Sequence, residues 1–460
     1  MTRSLMVFTI ALICLALASA VLAQGLMGWR TDGTGRYPDA TPPTTWGPEQ
    51  NVVWSTPTPA FSNSTPLLVG DRVFISSEPT TLLCLNANDG AILWQKPNEF
   101  AEFATEEEAG QMAADYQRAG ELRQQAGQTW GEVRKLKQDL QDSPDDANLK
   151  ARIAEAEKKM ADINAELQAY RDKWYSLPDV HPTNGYASAT PASDGTRVFT
   201  VFGTGMVVAY DLHGTRLWHQ ILAKPTIGWG GASSPVIVGG KLIVQSRDLY
   251  ALDKDTGEIV WQVQTPETWA TPMVTTVSGE PVLLTGAGDA IRVSDGAILA
   301  SKLGYCEYGS GIVEGDVAYW IQNGGTAVRL QQIADDKLVT ETLWTTTPKK
   351  ERYYAAPVLH NGLIYCIMQS GVLSAIDAAD GTVVYERDMQ LGQGTVYPSI
   401  CLAGGNLYVS SDNGTTVVLQ PGREPVELAR NTLEGFRATP VFSGSRIYIR
   451  GLTKMWCLSG

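Results

Sequence analysis

Residues 250–261 read YALDKDTGEIVW, and residues 82–94 read LLCLNANDGAILW. A chain that writes one phrase more than once is committed to a repeat architecture, because each copy folds as the same unit and the units must bury their apolar faces on one another. The phrase has the frame A-x-D-x-x-x-G-x-x-x-W, carried by Ala251, Asp253, Gly257 and Trp261. It predicts a strand, a turn and a strand: an Asp that hydrogen-bonds its own backbone, a Gly that accepts positive φ, then an alternating β-rich run. Cys84, Asn86, Gly90 and Trp94 fill the same frame, as do Ala375, Asp377, Gly381 and Tyr385. Ala209, Asp211, Gly214 and Trp218 have one turn residue fewer, and RVSDGAILA at 292–300 is a weaker echo.

A second phrase precedes each copy: a small residue, Pro, apolar residues, a Gly turn and another β-rich run. It is clearest as STPLLVGDRVFI at 64–75, SSPVIVGGKLIV at 233–244, AAPVLHNGLIYC at 355–366 and ATPVFSGSRIYI at 438–449. Two strands in each phrase make a four-stranded unit. Pro191 to Pro235 is 44 residues and Pro235 to Pro272 is 37, whereas Pro272 to Pro357 is 85 and Pro357 to Pro440 is 83. The two long intervals each hold two units, with GSGIVEGDVAYW at 309–320 and YPSICLAGGNLYV at 397–409 between the outer members. Four strands recurring at about 42 residues predict propeller blades, eight in all. The last unit stops at MWCLSG, where a Trp-bearing strand is due, and NVVW at 51–54 supplies one from the other end of the chain. Pairing the two leaves no open sheet edge.

The frame resembles the tryptophan-docking repeat of quinoprotein-type, or PQQ-like, β-propellers, a family that also contains the outer-membrane assembly lipoprotein BamB. The opening GWRTDGTGRYPDATPPTTWGPEQNVVWSTPTP is similar to the lead-in of secreted, non-enzymatic members. The resemblance implies that the repeat Trp packs between adjacent blades, a role that falls on Trp94, Trp218, Trp261 and, from the closing strand, Trp54. Tyr385 and Ala300 hold that slot with other residues, so docking there is expected to be weaker. The fold expected is all-β: an eight-bladed propeller of four-stranded antiparallel blades with an inserted antiparallel α-helical hairpin.

The expected organisation is an export signal at 1–23, a lead-in at 24–50, the closing strand and blade 1 at 51–97, the hairpin at 98–180, and blades 2 to 8 at 181–460. The signal is a short basic start, an apolar core and small residues near Ala23. Gln24 stands where a lipidated Cys would be, so the sequence predicts a soluble periplasmic or secreted protein with no membrane span. The five cysteines beyond it, at 84, 306, 366, 401 and 457, are odd in number and without close pairs, which predicts buried core thiols rather than disulfides. With 49 acidic against 36 basic residues the net charge is −13, and without a Lys/Arg block nucleic acid is not an expected partner.

Pro66 to Pro191 is 125 residues, one period plus an 83-residue insertion without strand phrases. Its second half repeats apolar residues alternately four and three apart: Ile153, Ala156, Met160, Ile163, Leu167, Tyr170 and Trp174. Leu122, Ala126, Thr129, Val133, Leu136 and Leu140 follow the same rhythm. That is a coiled-coil seam, and Ser143 as N-cap with Pro144 behind it predicts a capped turn between two helices. A hairpin of this kind is a partner-docking arm for envelope proteins, a solvated insertion satisfied by its own seam, or an insertion that lies back on the disc and packs there.

The resemblance raises a quinone-dependent dehydrogenase as one alternative, but its cofactor site adjoins two adjacent cysteines and no such pair occurs here. His181, His213, His219 and His360 have no metal-ligand spacing, and no nucleophile elbow or phosphate loop stands out, so no cofactor, metal or catalytic residue is assigned. One pattern remains. Most blades are preceded by an aromatic residue, namely Phe61, Tyr186, Trp229, Trp269, Tyr308, Tyr354, Tyr397 and Phe436. These positions converge on one mouth of a propeller channel, where Arg352, Arg437 and Glu307 would be polar handles. Either they are packing residues or Tyr186, Trp229, Trp269, Tyr308, Arg352, Tyr354 and Arg437 bind a sugar, a quinone or another small ligand, or an extended peptide. The leading expectation is an exported, non-catalytic scaffold for protein–protein interaction, with a quinone enzyme or a carbohydrate binder as alternatives.

Overall fold

The computed structural model describes residues 27–460, and the predicted export signal lies outside them. The chain forms two compact units, one of residues 98–178 and one of the remainder. The larger is the eight-bladed propeller that the repeat predicts. Seven blades run in chain order at 67–96, 192–221, 236–263, 273–300, 312–346, 358–388 and 401–432, numbered 1 to 7 here. Each is a meander of four antiparallel strands. The eighth takes three strands from 441–459 and its outermost from Val52–Pro57, which runs antiparallel to Lys454–Ser459 with Val52 opposite Leu458 and Thr56 opposite Met455. Closure through the two ends gives the ring no unpaired first or last blade.

The middle strands of each blade are buried and the outer strands half exposed. In blade 3, Leu242, Ile243, Leu249, Ala251 and Leu252 are at most 0% exposed, whereas Ile259 and Val260 on the outer strand are 45% and 49% exposed. The five cysteines are free and buried in blade cores or against them, and burial pushes their thiols up to about 11 or 12.

The smaller unit is the helical hairpin. Helix α1 (Glu106–Asp142) is opened by a capping box in which Thr105 Oγ1 accepts from the Glu108 N–H at 3.2 Å and the Glu108 carboxylate accepts from the Thr105 N–H at 2.8 Å. Helix α2 (Ala147–Arg171) is capped by Asp146, which accepts from the N–H groups of Asn148 and Leu149. The cap is therefore Asp146 and not the expected Ser143, because Ser143 closes α1 instead, its N–H donating to Leu140 O. Ala119 and Leu122 pack with Ile163 and Leu167, and Leu136 with Ile153 and Ala156, so the helices run antiparallel along the predicted seam.

Candidate functional site

The blades are joined by three devices, which together shape the channel. The first is the docked tryptophan. Trp54, Trp94, Trp218 and Trp261 each donate Nε1–H to a turn carbonyl of the next blade, respectively Ala87 at 3.1 Å, Leu212 at 3.1 Å, Lys254 at 3.1 Å and Val293 at 2.9 Å. Each indole lies on the turn glycine of that blade. A Cβ on Gly257 would stand 2.5 Å from the Trp218 ring, so only glycine lets the ring approach. Trp344 makes the same contact with Ala378 O at 2.9 Å and with Gly381, although its sequence frame hides it. Blade 5 has two 10-residue strands, Gly325–Ala334 and Lys337–Thr346, so its Trp falls well beyond the usual spacing.

Seams without a docked Trp are held otherwise. Where Ala300 leaves blade 4 without one, Trp320 reaches back from blade 5 to donate to Thr285 O at 3.0 Å, and Arg292 meets Asp336 at 2.6 Å. Beyond Tyr385, Arg387 donates to Pro425 O at 2.8 Å and Arg423 pairs with Asp377. Between blades 7 and 8, the lead-in fills the gap: Trp46 stacks on Tyr408, and Asn431 accepts from the Trp46 N–H and donates to Thr44 O.

The second device is a belt of hydroxyls. The small residue ahead of each leading Pro is Thr65, Thr190, Ser234 or Thr271 in blades 1 to 4, and Thr439 in blade 8; Ser399 stands in the same place in blade 7. The N–H of each donates to the hydroxyl of the next blade's residue: Thr65 to Thr190 at 3.2 Å, Thr190 to Ser234 at 3.0 Å, Ser234 to Thr271 at 3.0 Å, Thr271 to Ser310 at 2.9 Å, Ser399 to Thr439 at 3.0 Å and Thr439 back to Thr65 at 3.2 Å. Ala356 donates to Ser399 at 3.0 Å but, having no hydroxyl, cannot accept from Ser310.

The third device sits beside that gap. The lead-in crosses the axis, with Met27 bridged to Ser193 on blade 2 and Arg36–Tyr37 added in parallel to the inner strand of blade 7. Between them Arg30 is completely buried and donates to Pro357 O at 2.9 Å and Ile400 O at 2.7 Å, on blades 6 and 7. Burial lowers its pKa, and hydrogen bonds to carbonyls rather than a carboxylate hold the charge. Trp29, Thr271 and Ser310 line two cavities, one of about 420 Å³ and one of about 540 Å³, so the lead-in divides the channel.

The smaller cavity is the aromatic mouth. Trp229, Trp269, Tyr308, Arg352, Tyr354 and Arg437 line it, with Glu307 and Tyr397 beside them. Trp269 stacks on Tyr308 at 5.3 Å, Tyr308 meets Tyr354 edge-on at 4.9 Å, Tyr354 stacks on Tyr397 at 5.0 Å, and the Arg437 guanidinium lies 5.9 Å over Tyr397. Burial and a hydrogen bond to Glu307 push the Tyr308 hydroxyl up to about 12. Arg352 donates to Tyr354 Oη at 3.3 Å. Two of the aromatics ahead of the blades lie elsewhere, Phe436 in keeping with the packing reading. Tyr186 is not among the residues lining the mouth; its N–H and that of Ala187 donate to the Glu78 carboxylate at 3.0 and 2.6 Å. Phe436, fully buried, belongs to the core of the closing blade. Trp29, Asn63 and Asn184 also line the cavity, and no repeat marks them in the sequence.

Among the described residues, no three or more His, Cys, Asp or Glu are grouped to hold a metal ion, and no helix is long and apolar enough to cross a membrane.

Blade-to-blade tryptophans, a closing N-terminal strand and a channel with an aromatic mouth define a propeller of quinoprotein-type repeats. The chain belongs to the family described as outer membrane protein assembly factor BamB, which it matches over residues 47–136, 171–420 and 313–457. It is 26% identical over 264 residues to the outer membrane protein assembly factor BamB of Yersinia pestis, and 26% identical over 265 residues to that of Moranella endobia (strain PCIT). Each match covers 51% of this chain and 64% of the relative, so the chain spans less than two thirds of those proteins. The crystal structure of BamB from Moraxella catarrhalis superposes with a TM-score of 0.53 at 12% identity, covering 88% of this chain and 99% of that one, a likeness of fold.

Proposed function

We propose that this chain is an exported, non-catalytic propeller that serves as a protein–protein scaffold in the periplasm or outside the cell, with the hairpin at 98–180 as its partner-binding element. The observation that carries the reading is membership of a family whose relatives are named assembly factors, on a chain that adds a helical unit closed by its own core. Trp130 on α1 is 60% exposed with Arg134 over its ring at 5.6 Å, the pairing of large aromatic and Arg that anchors many interfaces. Excising 98–180 and joining Pro97 to His181 by a short Gly/Ser linker should leave the β-rich circular dichroism spectrum and the propeller's melting transition in place, and should remove envelope proteins captured by the full chain. An excised protein that folds and keeps every partner would overturn the assignment to the hairpin.

A quinone-dependent dehydrogenase is the reading the mouth fits less well. Such a cofactor rests on a divalent cation and beside paired cysteines; here none of the five described cysteines lines the mouth or is paired with another, and Glu307 is its one acidic lining residue, sharing the cavity with Arg352 and Arg437. Two guanidiniums lining a cavity with one carboxylate disfavour a divalent cation there. Protein incubated with pyrroloquinoline quinone and calcium should show neither saturable binding nor dye-linked alcohol or sugar oxidation.

A further inference from the structure

We propose that the aromatic mouth is a saccharide-binding site. The reading is independent of partner binding by the hairpin, since every lining residue belongs to the propeller.

The cavity of about 420 Å³ falls within the range of about 300–1,000 Å³ usual for small-ligand sites, and the lead-in gives it a floor at Trp29. Its walls differ in chemistry. The side built ahead of blades 4 to 7 is a continuous run of rings, Trp269, Tyr308, Tyr354 and Tyr397, in which each ring fixes the next. Trp229, ahead of blade 3, extends that run beside Trp269, whose Nε1–H donates to Gly230 O at 2.7 Å. It stacks on the His181 imidazole at 3.7 Å and 16°, and yet is 44% exposed, so one indole face is held and the other is open. An aromatic platform braced from behind and open in front suits the C–H face of a pyranose ring, whose axial hydrogens carry partial positive charge toward the π-cloud.

The polar groups select among ligands that could lie on such a platform. Asn63 donates Nδ2 to Thr183 O, Asn184 O and Ser188 Oγ at 2.8 to 3.1 Å, which fixes the amide, while its Oδ1 is buried without a partner among the described residues. Arg437 donates Nη1 to Thr183 O at 3.3 Å, and its buried Nε, without a hydrogen bond, lies 3.9 Å from Asp412 Oδ2. Both residues line the mouth, with Arg352 and Glu307 across it. A purely aromatic ligand would take Arg352 and Glu307, which keep contact with solvent in the free protein, out of water without offering either a polar partner, at a cost of about 1–3 kcal/mol for each group so buried. A peptide strand needs a backbone edge to pair with. The belt N–H groups that would form one are already donating to the hydroxyls of neighbouring blades. A sugar presents hydroxyls that both donate and accept around an apolar face, and so can partner the Glu307 carboxylate and the Arg352 guanidinium while its apolar face lies on the rings.

The test uses the full mature chain with four probes, maltotriose, cellotriose, triacetylchitotriose and trigalacturonate, followed by titration calorimetry and tryptophan fluorescence. At least one should bind saturably. Trp229→Ala, at a half-exposed position where folding is not at stake, and Glu307→Gln should each weaken that binding tenfold or more with the melting transition unchanged. Trp130→Ala and excision of the hairpin should leave it unaltered, which separates this site from the scaffold role. Failure of all four probes to bind, or binding that survives both mouth substitutions, would sink the proposal.

Discussion

At the scale of the residue, a glycine and an indole on neighbouring blades act as one contact. Gly257 sits at φ +79° with the Trp218 ring where a Cβ would go, whereas Gly240, at φ +77°, has open space around that position. Alanine at either costs the strain of a left-handed backbone, about 1–2 kcal/mol. Only Gly257→Ala also forces the indole off its seat. Gly257→Ala is therefore expected to lower the melting temperature clearly more than Gly240→Ala, and equal losses would mean that the docking contact contributes nothing. Trp344→Ala empties a comparable seat and should cost about 3–5 kcal/mol in chemical denaturation, as for other large buried side chains. Four of the five docked tryptophans could be read in the sequence, since Ala251 to Trp261 repeats in other blades. Trp344 could not, because a lengthened hairpin stretches the frame. The hydroxyl belt was visible only as small residues before proline: its bonds join residues 37 to 125 apart or across the ring closure, so nothing local distinguishes a Thr that accepts a bond from an Ala that cannot.

At the scale of the element, the hairpin has a buried ionic contact at its base. Asp115, 6% exposed on α1, accepts from the Lys173 ammonium, from the Tyr175 hydroxyl and from Gln111 Nε2 at 2.8 Å. Lys173 first and Tyr175 next hold its carboxyl down, from 3.8 to about 2. A depressed carboxyl stabilises the folded form fully above its unfolded value and loses that contribution as the pH falls through the folded one. The helical circular dichroism of the full chain should therefore weaken on acidification from about 3.8 to about 2. Asp115→Asn should weaken it already at neutral pH and flatten the change across that window; a variant with the wild-type acid profile would show that another group carries it. The seam that pairs the helices was legible because a four-three spacing of apolar residues specifies a face. The contact at Asp115 was not, since Lys173 and Tyr175 lie in the turn after α2, where no periodicity places them. The mouth shows the same division. Position ahead of a blade brought Trp269, Tyr308, Tyr354 and Tyr397 together, but it could not separate Trp229, open to the cavity, from Phe436, turned into the core.

At the scale of the whole molecule, the N-terminal segment of the propeller closes the ring twice. Val52–Pro57 completes blade 8, and Trp54 from that strand docks on Gly90 of blade 1, so one short strand supplies both the last sheet edge and the last seam. Residues 27–46 add a second closure across the axis, through Arg30 on blades 6 and 7 and Trp46 between blades 7 and 8. These contributions separate by mutation. Trp54→Ala removes the seam and keeps the strand. Arg30→Met removes two buried donors and strands the Pro357 and Ile400 carbonyls, at a cost of about 1–3 kcal/mol each. Deleting the chain through Trp54 removes everything and bares Lys454–Ser459 as an unpaired edge, a template for association with other chains. The expected order of melting temperatures is wild type, then either point variant, then the truncation, and only the truncated protein should aggregate with concentration in light scattering. A truncated protein that stays monomeric and melts with the full-length chain would show that the ring holds without its closing strand.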